Sequence, residues 1–135
     1  MIRLSALAAN AAADSIARQL ADGWLHIYEG AAPATCDTPV PRTAKLLAVC
    51  RLQNPAFKPA QAGVATAYDI HADEDAKDTG KPQWFRLFRA DHASAVYDGN
   101  IGQTDKADMI MRAEVIGKHS EVVVESCVVR MPLKG

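Results

Sequence analysis

The sequence predicts a mainly β protein, a jelly roll or β-sandwich of about eight strands preceded by one N-terminal α-helix. Three observations predict it. Residues 5–22 are an alanine-rich run with apolar positions at helical spacing. After Gly23 the pattern changes to short apolar segments that alternate with polar residues and are separated by Gly, Pro, Asp and Asn clusters. Near the end, "EVVVESCVVRMP" places Val122, Val124 and Val128 on one face of a strand and Val123, Cys127, Val129 and Met131 on the other. With 135 residues, 49% of them hydrophobic, the chain has the size of one domain and enough apolar side chains for one core. Residues 1–23 are expected to pack as a helix on a single β-sandwich domain spanning residues 24–135.

The N-terminal run resembles a signal peptide in having a basic residue before an alanine-rich stretch. Asn10 and Asp14 interrupt it before it reaches the length of an apolar h-region, and Arg18 and Asp22 follow without a cleavage site. As a helix it is well furnished. Ser5 is a candidate N-cap, Asp14 and Arg18 are spaced as an i,i+4 pair, and Gly23 is a candidate left-handed terminator. Ala9, Ala12, Ala13, Ile16 and Leu20 make a narrow stripe of mostly small side chains suited to close packing on a flat surface.

"WLHIYEG" reads as the first strand, followed by the loop "AAPATCDTPVPRT", in which Pro33, Pro39 and Pro41 prevent regular pairing and favour an extended surface arm. "AKLLAVCRL" and "GVATAYDI" are the next strands, and Phe57 in the loop between them is expected to fold back onto the sheet. "HADEDAKDTGKP" crowds Asp73, Glu74, Asp75 and Asp78 without the ligand order or glycine position of a calcium loop, and is expected to be a solvated acidic loop. Gln83–Ala90 and "AVYDG" form a hairpin around Asp91; "NIGQTDKAD" reads as a loop, "MIMRAEVI" as one or two short strands, and residues 121–131 as an interior strand ended by Pro132.

The strand at 84–88 poses the sharpest question, because both of its faces are apolar. Phe85 and Leu87 share one face, and Trp84 and Phe88 share the other with Arg86 between them. One face fills a core. The other can be covered by this chain, with Arg86 in an ion pair or cation–π contact, or by a partner, with Trp84, Arg86 and Phe88 as interface anchors.

Little in the sequence points to catalysis. His26, His71, His92 and His119 show no chelating spacing, and Cys36, Cys50 and Cys127 lack a C-x-x-C pair, so no metal site is expected and the thiols are expected to stay reduced. Nucleophile elbows and glycine-rich phosphate loops are absent from the sequence, which predicts neither enzyme activity nor a cofactor. Fifteen basic against sixteen acidic residues give a net charge of −1, without the basic excess that nucleic-acid binding requires. No run is long and apolar enough to span a membrane. A jelly-roll surface that binds sugars would use exposed aromatics, for which Trp24, Tyr28 and Tyr97 are candidates.

The order of segments is itself informative: the alanine-rich helix, then "GWLHIYEGAAPA", "AKLLAVCRLQNPAF", "GVATA", "WFRLFRADHASAVYDGNIG", "ADMIM" and "VVVESCVVRMP". In this order the chain resembles the small capsid cement, or decoration, proteins of tailed phages and prophages. The resemblance implies a jelly-roll homodimer made in the host bacterial cytoplasm and placed on the exterior of an icosahedral head, where it clamps neighbouring major capsid subunits of the HK97-like fold. A phage tail or baseplate module that binds host glycan is the alternative.

Overall fold

The structure, a computed structural model, describes residues 2–132; the outermost ends of the two expected segments, residue 1 and residues 133–135, lie outside the described residues. Ser5 caps α1 (Ala6–Arg18), its side chain accepting a hydrogen bond from the Ala8 amide at 3.1 Å. Ala9, Ala13 and Ala17 are buried, and with Leu20 they set the helix against the two strands β3 (Val64–Thr66) and β7 (Ser126–Arg130). The expected helix end is corrected. The helix stops at Arg18, and the left-handed residue is Asp22, with φ 58°, rather than Gly23. Gly23 is required for another reason: a Cβ there would lie 2.4 Å from the Phe88 carbonyl oxygen. The expected Asp14–Arg18 pair is also corrected, since the Asp14 carboxylate accepts from the Ala60 amide at 2.8 Å, while Asn10 accepts from Gly63 at 2.7 Å. Both polar side chains tie the helix to the turn that precedes β3.

The protein is mainly β, as the sequence predicts. The remaining strands are β1 (Trp24–Glu29), β2 (Lys45–Arg51), β4 (Trp84–Phe88), β5 (Ala95–Gly102) and β6 (Met109–Ile110). The sheet has seven strands in the order β2-β1-β4-β5-β6-β7-β3, antiparallel throughout except for the parallel β5-β6 pair. One buried cluster joins Leu25, Ile27, Leu47, Phe85 and Leu87 from the first four strands to Ala65, Met109, Cys127 and Val129 from the last three. The two halves of the sheet therefore share a core, in keeping with a sandwich or jelly-roll arrangement. Phe57 is buried against it, as expected.

Three element boundaries differ from the sequence reading. β5 runs to Gly102, because Asn100 pairs with Trp84 and Ile101 with Met109, so the loop expected from Asn100 begins later. The strand expected over 121–131 is regular only at Ser126–Arg130; its centre lies between β6 and β3, whereas Val122 makes a separate bridge to Asp73 and Val123 faces solvent. β3 is three residues long, and the chain beyond it turns away after Ala67 bridges Phe57.

The acidic stretch is not a free solvated loop. Asp73 is buried, and its carboxylate accepts from the Val49 amide at 2.8 Å and the Asp75 amide at 2.9 Å. Its backbone pairs with Val122, and Gly80 pairs with Ile116, while the Lys77 amide donates to Leu47. This segment thus occupies the open edge of β2 and fastens it to residues 116–122. A strand edge that would otherwise present unpaired amides is covered.

Candidate functional site

The outer face of the first half-sheet gathers the polar and aromatic groups of interest. Cross-strand register places His26 opposite Arg86, Tyr28 opposite Trp84, and Arg86 opposite Asp98. Arg86 and Asp98 form a close pair: Nε donates to one carboxylate oxygen at 2.6 Å and Nη2 to the other at 2.9 Å. Nη1 donates to the Thr38 carbonyl at 2.8 Å. The loop carrying Thr35 and Thr38 is consequently folded down over β4, which corrects the extended arm expected from its prolines. Cys36 on this loop approaches Asp98 with its thiol at 3.4 Å, and burial with the adjacent carboxylate pushes the thiol pKa up to about 11. The Asp98 hydrogen bonds in turn hold the Arg86 guanidinium more firmly protonated.

Trp84, Arg86 and Phe88, expected as interface anchors, are 3%, 3% and 9% exposed. The surplus apolar face that suggested a partner there is covered by this chain. Trp84 stacks on Tyr28 with ring centres 4.5 Å apart, and its buried indole N–H has no hydrogen-bond partner among the described residues. A cleft of about 390 Å³ remains between the Cys36–Val40 loop and the 93–95 turn, with Arg86 and Phe88 in its wall.

The histidines are less scattered than the sequence suggests. Asp91 organises the hairpin turn, accepting from the Ala93 and Ser94 amides at 2.9 Å each, and this turn carries His92 at φ 61°. His92 stacks on Trp24 with ring centres 4.1 Å apart, and its Nε2 lies 2.6 Å from Nε2 of His26. His26 Nδ1 is 3.1 Å from the Tyr28 hydroxyl. Burial, reinforced by His92, lowers the His26 pKa to about 4. Arg51 lies 4.2 Å over the Trp24 ring from the neighbouring strand, so the indole is held between Arg51 and His92. Neither ring face is free to stack on a sugar. Tyr28 is buried and Tyr97 half-buried, so these candidates pack into the fold and do not form an exposed aromatic platform. His119 pairs with Asp75 at 2.6 Å on a distant exposed loop. Among the described residues no three His, Cys, Asp or Glu side chains are gathered as a metal centre, and the three cysteines are free thiols.

Two other surfaces stand out. Ile2 and Leu7, before and within the first turn of α1, are 76% and 83% exposed. Alongside the helix, a groove of about 540 Å³ has Ala17, Pro55 and Phe57 in its walls and Arg18 and Lys58 at its margins.

Hairpin arithmetic alone misses the Arg86–Asp98 pair, because a bulge between Leu87 and Phe88 shifts the register by one residue. His26 and His92 meet across 66 positions, for which no local spacing rule gives a signal. Comparison with family models, curated proteins and solved structures finds no match for this chain.

Proposed function

We propose that this protein is a structural decoration protein that binds the outside of an icosahedral phage head as a homodimer and clamps neighbouring major capsid subunits. Support comes from the ordered likeness of its segments to capsid cement proteins, together with a β body whose β2 edge is tied down by its own chain. Such a protein acts through many repeated contacts on a symmetric shell, so rigidity and a few well-placed anchors serve it better than a reactive centre.

The observation that carries this reading is the exposed apolar pair at the head of α1. Leu4 donates its amide to the Pro132 carbonyl at 3.2 Å, which fastens the N-terminal segment beside the end of β7 and presents Ile2 and Leu7 from a fixed base. Exposed aliphatic side chains on an ordered segment are suitable centres for an interface, which typically buries about 800 Å² per partner. The contact is therefore assigned to the helix head and not to Trp84, Arg86 and Phe88. A glycan-binding role has less support, because both faces of Trp24 are occupied.

The test is Leu7→Asp, an exposed substitution expected to leave the fold intact. Wild-type protein should sediment as a dimer and protect heads of the encoding phage against heat, whereas the variant should be monomeric or leave heads unprotected. A wild-type protein that neither dimerises nor binds heads would overturn the proposal.

A further inference from the structure

We infer that His26 and His92 form a two-histidine site for a divalent transition metal, with Cu²⁺ preferred to Zn²⁺. The two Nε2 atoms already face each other at 2.6 Å, one from the rigid strand β1 and the other from an exposed turn. With metal–nitrogen bonds of about 2.0–2.1 Å, two ligands at a right angle lie about 2.9 Å apart, and two at a tetrahedral angle about 3.3 Å apart. The pair must therefore open by about 0.3 Å for square-planar Cu²⁺ but by about 0.7 Å for tetrahedral Zn²⁺. Each ring must also turn its lone pair off the N–N line, by about 45° for a right angle and about 35° for a tetrahedral one, so the preference for Cu²⁺ rests on the general affinity order for nitrogen ligands. Solvent supplies the remaining ligands, since His92 is exposed and His26 half-buried.

The surroundings suit this role. In the metal-free pair one Nε2 carries a proton and the other accepts it. Where His26 is the donor, its Nδ1 accepts from the Tyr28 hydroxyl at 3.1 Å. Ligation requires both Nε2 atoms to be bare. The His26 proton is then carried on Nδ1, where the Tyr28 oxygen can accept it, because a phenol both donates and accepts. The imidazole stays neutral and no net proton is released. His92 is oriented by its stack on Trp24, and His26 lies 4.5 Å, centre to centre, from the Phe88 ring. Arg86, cross-strand from His26, is neutralised by Asp98, and Arg51 is turned to the Asp22 carbonyl on the far side of Trp24. Asp91 adds a negative charge one residue from His92.

Cu²⁺ titrated into the full chain in the presence of a weak competing ligand, followed by calorimetry and the visible d–d band, should show one site. Zn²⁺ should bind the same site more weakly. His26→Gln, or His92→Asn, whose side chain tolerates the left-handed backbone at this turn, should each weaken Cu²⁺ binding on the order of a hundredfold, and Tyr28→Phe by about tenfold. His119→Asn should change nothing, and imidazole resonances of His26 and His92 alone should shift when diamagnetic Zn²⁺ is added. Absence of stoichiometric binding, or equally tight binding by the His26→Gln and His92→Asn variants when both retain the native circular dichroism spectrum, would overturn the site. A variant with altered circular dichroism is replaced by pH-resolved imidazole spectra of the wild type, in which unshifted His26 and His92 signals would do the same.

Discussion

The first four strands in the sheet, β2-β1-β4-β5, and the last three, β6-β7-β3, are held together by different means. In the first group β1 is paired on both sides along nearly its whole length, and β4 is buried at every position. In the second group β6 and β3 are two and three residues long, and much of the fixing is done by side chains and loops. Asp14 and Asn10 hold the turn before β3, and Asp73 joins the β2 edge to Val122. A strand ladder supplies its own cooperativity, whereas a patchwork of short strands depends on a few polar ties that must all be satisfied.

Breaking the charged centre of the first group should have the largest effect. Arg86→Ala leaves the half-buried Asp98 without its guanidinium partner under the 33–43 loop, and urea denaturation should show a loss toward the lower end of the about 3–5 kcal/mol that breaking a buried pair costs. The double variant Arg86→Met, Asp98→Leu should recover much of that loss, because the desolvation of both charges is removed together. Recovery would show that the pair fixes the loop position more than it adds net stability. Arg86→Glu should unfold the monomer rather than merely weaken a dimer, the outcome expected of an intramolecular partner.

Next in size is Asp73→Ala, which removes the acceptor of the Val49 amide and should cost about 1–3 kcal/mol. Native-state hydrogen exchange should then speed up at Val122 and at the β2-edge amide of Val49, a first-group position fixed by a loop carboxylate instead of the strand ladder, before it does at residues 84–88. Uniform acceleration across both groups would remove the distinction between them. Asp14→Ala should cost about 1 kcal/mol, with the loss of protection confined to Ala60 and its neighbours.

The smallest effect concerns reactivity. Cys36 has its pKa pushed up to about 11, so its alkylation rate should remain low near neutral pH and rise only as pH approaches that value. Asp98→Asn should move the rise to lower pH, because the neighbouring carboxylate disfavours the thiolate. An alkylation profile with an ordinary thiol midpoint in the wild type would show that the loop does not rest on Asp98.

The same division explains what was legible in the sequence. β1, β2 and β4 are short apolar runs bounded by turn and loop residues, and their spans are legible from that; the Ser5 cap and the alanine face of α1 are equally legible because both are local. Periodicity over-extends the last strand of the second group, since the valines at 122–124 satisfy a strand pattern while the backbone at Val122 bonds to a loop. Composition predicts a solvated acidic loop and does not reveal that one of its carboxylates, that of Asp73, caps a sheet edge. For the outer face, the sequence shows the two-sided apolar character of β4 and offers cover by this chain with Arg86 in an ion pair or cation–π contact, as found, but it does not show which residues supply the cover. The partner of Arg86 depends on a bulge, and the His26–His92 contact on chain closure over 66 positions. Neither is a property of a short window.

The central functional proposal is tested most directly by cryo-electron microscopy of heads of the encoding phage, imaged with and without the purified protein. Added density on the outer surface, bridging neighbouring capsid subunits with the Ile2 and Leu7 end of the helix at the contact, is the predicted result. Bare shells at saturating protein, or density confined to the tail tip, would contradict it.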